Sequence, residues 1–270
     1  MKRYICLFLF LIFALCAVSV SAQERLKISS TTSTDNTGLF GALNPPFEKR
    51  FGCRVDVIAV GTGKALKIGS AGDVDVVFVH ARAAEDAFIA DGFGVNRRDV
   101  MYNDFIIIGP KEDPVGIRGF KNAKKALAAI ALKGAPFISR GDDSGTHKKE
   151  KLLWKKAGVM PEGTWYAEAG QGMGAVIQIA NEKKAYTLAD RGTYLAYSKK
   201  VDLVILCEGD KDLFNPYGIM AVNPARFPHV NYIMAMAYIG WVTSQDGQKI
   251  IKDFGKDRFG QPLFRPLAIP

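Results

Sequence analysis

Histidine and cysteine are scarce in this sequence. Its 270 residues include three histidines and four cysteines. None of His80, His147 and His229 stands at a spacing that metal ligands use, so no metal is expected on side chains directly. A long basic tract and an aromatic RNA-binding motif are both missing, which argues against nucleic acid as a partner. There is no nucleophile elbow, no low-complexity linker and no clear repeat. After the first twenty or so residues, no segment resembles a membrane span.

The start of the chain carries the order of a secretory leader. Lys2 and Arg3 precede an apolar run from Ile5 to Val20, followed by the small residues Ser21 and Ala22. Cleavage after Ala22 would give an exported, periplasmic protein. A retained anchor is the alternative, but the run is shorter than the ~20 apolar residues of a comfortable span. Leu15 before Cys16 is too large for a usual lipid-attachment box. The leader takes with it two of the nine net positive charges, and also Cys6 and Cys16. The remaining positive excess favours anion capture or an acidic docking surface, although basic residues scattered over a solvated face would give the same number. Cys53 and Cys207 could pair in an oxidising compartment. A bond between separate lobes would hinder their movement, and the sequence leaves the point open.

Alternating short elements dominate the rest. Strand patterns at Leu26–Ser30, Val55–Val60 and Val74–Val79 alternate with helical patterns at Gly38–Arg50, Lys64–Gly69 and Ala83–Asp91. A hydrophobic strand at Met101–Gly109 ends at Gly109-Pro110. A second set follows: helices at Ala123–Leu132, Lys148–Ala157 and Ala175–Glu182, and strands at Ala135–Ser139, Val201–Cys207 and Tyr217–Val222. A final helix is expected over Val230–Thr243. This is an α/β chain of two lobes. The expected division is a leader at 1–22, a first lobe at 23–107 and 221–270, and a second at 108–220. The crossings near Ile106–Ile108 and Gly218–Val222 would form a hinge.

The chemistry gathers where strands give way to helices, positions at which free backbone N–H groups and the helix dipole attract anions. Most informative is Ser139-Arg140-Gly141-Asp142-Asp143-Ser144-Gly145-Thr146-His147, which puts a guanidinium, hydroxyls and a glycine turn at one helix start. Asp142 would repel an anion and is better employed orienting Arg140. Ser29 to Thr34 and Gly61-Thr62-Gly63-Lys64 add hydroxyls and N–H groups, although capping residues would look the same. The second of these is not a P-loop, because position 58 is not glycine and Ala65 replaces the hydroxyl after lysine. Gly170-Gln171-Gly172-Met173-Gly174-Ala175 fits a relaxed dinucleotide fingerprint, but the segment before it makes a poor buried strand. A smaller anion suits these glycines better than a nicotinamide cofactor.

Thr31-Thr32-Ser33, Val60-Gly61-Thr62-Gly63, Met101-Tyr102-Asn103-Asp104-Phe105, Ser139 through Thr146 and Tyr186 through Thr193 resemble, in order and over nearly the whole mature chain, the periplasmic tungstate-binding proteins of ABC importers. The resemblance implies a type II periplasmic-binding-protein fold with the ligand in an interlobe cleft. The ligand would be tungstate or molybdate, with no cofactor. It also implies delivery to a membrane permease with its ATPase, by a protein expected to be a monomer.

Carried over by position, the donors fall on Thr32, Ser33, Thr62, Arg140, Ser144, Gly145, Thr146, Gly172 and Met173, with Thr187 less securely placed. The metal oxyanion would be held by hydrogen bonds alone. Ser30 stands where the family often has a further threonine, and a hydroxyl survives. Phosphate is the alternative ligand, since the arginine-aspartate-serine-glycine-threonine run also resembles that of phosphate-binding proteins. Its retained proton would need an acceptor, for which Asp35 is the candidate. A secreted hydrolase built on Ser144, His147 and Asp142 or Asp143 is the alternative from another class.

Overall fold

A computed structural model describes residues 23–268, so the expected leader, Met1–Ala22, lies outside the described residues. β1 (Glu24–Thr31) leads into the short helix α1 (Thr32–Asn36) and then α2 (Leu39–Phe51). β2 (Cys53–Val60), α3 (Thr62–Ala71), β3 (Val76–Val79) and α4 (Arg82–Ala90) follow. β2 and β3 lie parallel to β1, one on each side. Pro45 and Pro46 sit inside α2, each an interior defect of about 3 kcal/mol. Burial of Leu39, Phe40, Leu43 and Phe47, at about 1.5–3 kcal/mol apiece, is enough to hold the helix together.

β4 (Gly94–Gly109) is a strand of 16 residues. Beyond it come α5 (Ala123–Leu132), β5 (Phe137–Ser139), α6 (Gly145–Ala157), β6 (Tyr166–Glu168), α7 (Met173–Glu182), β7 (Thr187–Asp190), α8 (Arg191–Tyr197) and β8 (Val204–Cys207). β9 (Phe214–Val222) returns to the first set, followed by α9 (Tyr232–Val242), α10 (Gln245–Asp253), α11 (Lys256–Phe259) and β10 (Arg265–Pro266). The main path of the sheet runs β10-β4-β9-β3-β1-β2. The far end of β4 pairs instead with β7 and β8. One strand therefore serves both halves.

The period of two along each strand sorts the core. Val76, Phe78, Ile219 and Ala221 join one cluster with residues of α2, α9 and α10, while Val77, Val79, Met220 and Val222 join another with residues of α3 and α4. Phe105 and Ile107 pack with α5 and α6, whereas Ile106 and Ile108 pack with α7 and α8. Each half thus has helices on both faces of its sheet. The expected α/β architecture is present, with antiparallel strands where the chain crosses between halves.

The buried side chains change cluster between Met101 and Phe105, and again between Leu213 and Tyr217. Both changes precede the crossings expected at Ile106–Ile108 and Gly218–Val222. Polar Asn103 and Asp104 in β4, and Asn215 and Pro216 in β9, stand where each strand passes from one core to the other. β4 also begins earlier than Met101, because polar Asn96, Arg97 and Arg98 mask its start. Its register shifts there, where Asn96 adopts φ 54°. Cys53 and Cys207 are free thiols in different clusters, which answers the question of their pairing.

Candidate functional site

Thr31 opens the first junction. Its hydroxyl accepts from the backbone N–H of Thr34 at 3.3 Å and lies 3.1 Å from Ser33 Oγ and 2.7 Å from Thr34 Oγ1. Thr32 and Ser33 occupy the first positions of α1, whose N–H groups have no partner within the helix. α1 packs against α7 and α8 of the other half, which brings this donor set to the divide. At the start of α3, Gly61 supplies no side-chain cap, and Thr62 is fully buried. Thr62 Oγ1 accepts from the Gly145 N–H at 3.1 Å, so two helix starts from opposite halves are joined directly.

The third junction carries the charge. Arg140 is 3% exposed, and its Nη2 and Nε donate to Asp142 at 2.5 and 3.2 Å. Nη1 takes no part in that fork. Asp142 also accepts from the Ser144 N–H at 3.2 Å. Burial alone would raise the Asp142 pKa, but the bonds from Arg140 and Ser144 hold it below the usual range. The sequence therefore places this carboxylate correctly, as the orienting group of the guanidinium. Gly141 between them has φ +62°, and a Cβ there would meet Glu168 Cβ at 2.6 Å, so the turn needs glycine. Ser144 caps α6 through the His147 N–H at 3.2 Å, and Thr146 Oγ1 is buried without a partner.

At the fourth junction, Gly172 caps α7 without a side-chain bond, and Met173 is fully buried in an apolar cluster. Any donor offered by Met173 is its backbone N–H. Thr187 has a different task from the one expected of it: its hydroxyl donates to the Ile138 carbonyl at 2.7 Å, stitching β7 to β5. Tyr186 is likewise structural, bonded to Asp113 and to the Val115 N–H.

Several buried polar groups near these junctions were not legible beforehand. His80 is neither on the surface nor bonded locally. Its Nε2 lies 3.2 Å from Ser33 Oγ, and its Nδ1 lies 2.9 Å from Asn215 Oδ1. Asn215 in turn donates to Asn103 at 2.6 Å. Burial lowers the His80 pKa to about 4, with the nearby charges of Arg140 and Lys149 acting the same way and the bond to Asn215 opposing them. Asp190 caps α8 by accepting from Thr193 N–H at 2.8 Å, leaving Oδ2 buried without a partner. Burial raises its pKa.

The hydrolase arrangement is not formed. Ser144 Oγ meets the backbone of His147, while the imidazole Nδ1 accepts from the Asp143 N–H at 3.0 Å. Among the described residues, no three His, Cys, Asp or Glu gather as a metal site.

The sequence matches the PBP superfamily domain over residues 17–246. The chain belongs to that superfamily. It is 53% identical over 253 residues to a putative ABC transporter anion-binding protein of Haloferax volcanii, covering 92% of this chain and 73% of the relative. It is 46% identical to the tungstate-binding protein TupA of Peptoclostridium acidaminophilum, over 92% of this chain and 87% of that one. A crystal structure described as the tungstate ABC transporter from Geobacter sulfurreducens shares 66% identity and superposes with a TM-score of 0.80, over 86% of this chain and 99% of its own. These relatives are solute-binding proteins, and in this chain the Thr62–Gly145 bond joins a helix start of one half to a helix start of the other.

Proposed function

We propose that this chain captures tungstate, and molybdate with it, outside the cytoplasm and hands it to the permease and ATPase of an ABC importer. The Thr62–Gly145 bond carries the reading: helix starts from opposite halves meet beside a buried arginine. The tungstate-binding relatives and the tungstate transporter structure support the same ligand. In this reading Thr32, Ser33, Thr62, Arg140, Ser144, Gly145, Thr146, Gly172 and Met173 surround the anion, as a monomeric protein closes on it. The lobes divide near 102–104 and 214–216, where the clusters change.

A deprotonated dianion requires donors and no acceptor. Asp142 suits this, since its oxygens are engaged by Arg140 and Ser144. Asp35, the acceptor considered for phosphate, is exposed. Each charge-assisted bond contributes about 1.5–3 kcal/mol net, so a few of them suffice for tight capture. Lobe closure completes the shell, excludes water and presents a changed surface to the permease.

One observation favours monohydrogen phosphate as a second reading: Asp190 Oδ2 is a buried carboxylate oxygen without a partner. Competitive calorimetry with tungstate, molybdate, sulfate and phosphate decides between them. Tungstate and molybdate are expected to displace the other two; phosphate binding without preference for tungstate overturns the proposal.

A further inference from the structure

Ser33 has one hydroxyl proton and three groups around it: Thr31 Oγ1 at 3.1 Å, which can donate to Ser33 instead of accepting, His80 Nε2 at 3.2 Å, and the proposed anion. Asn215 Nδ2 donates to Asn103 Oδ1 at 2.6 Å, which leaves Asn215 Oδ1 as the acceptor facing His80 Nδ1 at 2.9 Å. His80 therefore carries its proton on Nδ1, and neutral Nε2 offers only a lone pair. The hydrogen bond at 3.2 Å is then donated by Ser33 to His80. An anion held by Ser33 within the proposed donor set needs that same proton. If Ser33 turned its hydroxyl to the anion while His80 stayed neutral, two lone pairs would face each other in a buried site.

Resting on the reading of this site as a dianion receptor, we propose that His80 takes a proton at Nε2 when the dianion binds, donates it to Ser33 Oγ, and so releases the Ser33 hydroxyl to the ligand. The proton comes from solvent, and no covalent bond changes. His80 is a positioning residue, acting on the anion through Ser33. Its imidazolium also adds a positive charge to a site where that of Arg140 is already partnered by Asp142.

The surroundings explain why the proton waits for the anion. His80 is stacked on Tyr217 with ring centroids 4.7 Å apart, and Phe105 lies 6.3 Å away. Arg140 and Lys149 both oppose a further positive charge there. Lys149 is itself tied to the carbonyls of Asp212 and Phe214. On the following helix Glu85 is engaged by Arg97 and by the Ala81 N–H, while Arg82 pairs with Asp86, so neither carboxylate is free to neutralise the ring. Asp190, buried and paired in part with Thr193, acts on Arg140 and on Tyr217, the ring stacked against His80. A buried dianion reverses this balance, as an opposite charge within a few ångströms does for any cationic acid.

Titration calorimetry with sodium tungstate, in two buffers of different ionisation enthalpy, counts the protons taken up. Uptake is expected for the wild type near neutral pH and its loss in His80→Gln. Wild-type affinity should weaken as pH rises from 6.5 towards the pKa of the liganded imidazole, by up to about tenfold per unit. Labelling the three histidines with nitrogen-15 reads the ring directly, without any substitution. An imidazolium signal for His80 in the tungstate complex supports the proposal. A neutral ring, with its proton on either nitrogen, overturns it. Heat of binding without proton uptake overturns this inference alone, whereas absence of binding heat overturns the tungstate reading.

Discussion

Two demands meet on the Arg140 guanidinium, which must remain charged in a buried place and also point one edge at a ligand. Asp142 meets the first demand and fixes the second, because a planar fork bound along Nε and Nη2 can present Nη1 in only one direction. Arg140→Lys keeps the charge and loses that geometry. Tungstate affinity is expected to fall by about 10- to 100-fold, equivalent to one charge-assisted bond, with little change in melting temperature. Calorimetry on the variant checks it. Arg140, Ser144 and Thr62 were legible because helix starts have a local signature in hydroxyls, glycines and basic residues. His80, Asn103 and Asn215 were not, since their partners lie 47 to 135 residues away and nothing near them in sequence announces the contact.

Among the elements, most of the longer ones with an apolar period were readable and the shortest were not. α1 and α8 have five and seven residues, too few for a pattern, and are organised by Thr31 and Asp190 as caps. β7 was hidden for a different reason: Thr187–Asp190 is short and mixed in character, and only its pairing with β4 makes it a strand. The turn between β5 and α6 is the most constrained of these junctions. Gly141→Ala would combine a left-handed backbone with overlap against Glu168, costing about 1–3 kcal/mol. Urea denaturation is expected to show that loss, and tungstate affinity should fall as well, because Arg140 and Asp142 flank the turn.

For the molecule as a whole, one contribution to the pH dependence of stability comes from a group outside the candidate site. Glu150 is buried on α6, where Trp154 and Tyr166 donate to its Oε1 at 3.1 and 2.9 Å. Burial nevertheless pushes its pKa up to about 7 from an ordinary 4.5. Between those values the folded state holds a proton that the unfolded chain has released, so stability declines as pH rises through this window. Glu150→Gln should remove that part of the decline, seen by comparing denaturation of the two proteins at pH 5 and pH 7.5.

The long strand β4 has a consequence for how the protein comes apart. Because its two ends belong to different cores, neither half can lose its sheet without tearing backbone bonds from the strand that completes the other. Calorimetric melting is therefore expected to give one peak, with equal van't Hoff and measured enthalpies, and two resolved peaks would show independent halves. Closure on a ligand, as proposed, would then twist a continuous spine, while the two bodies survive or perish as one.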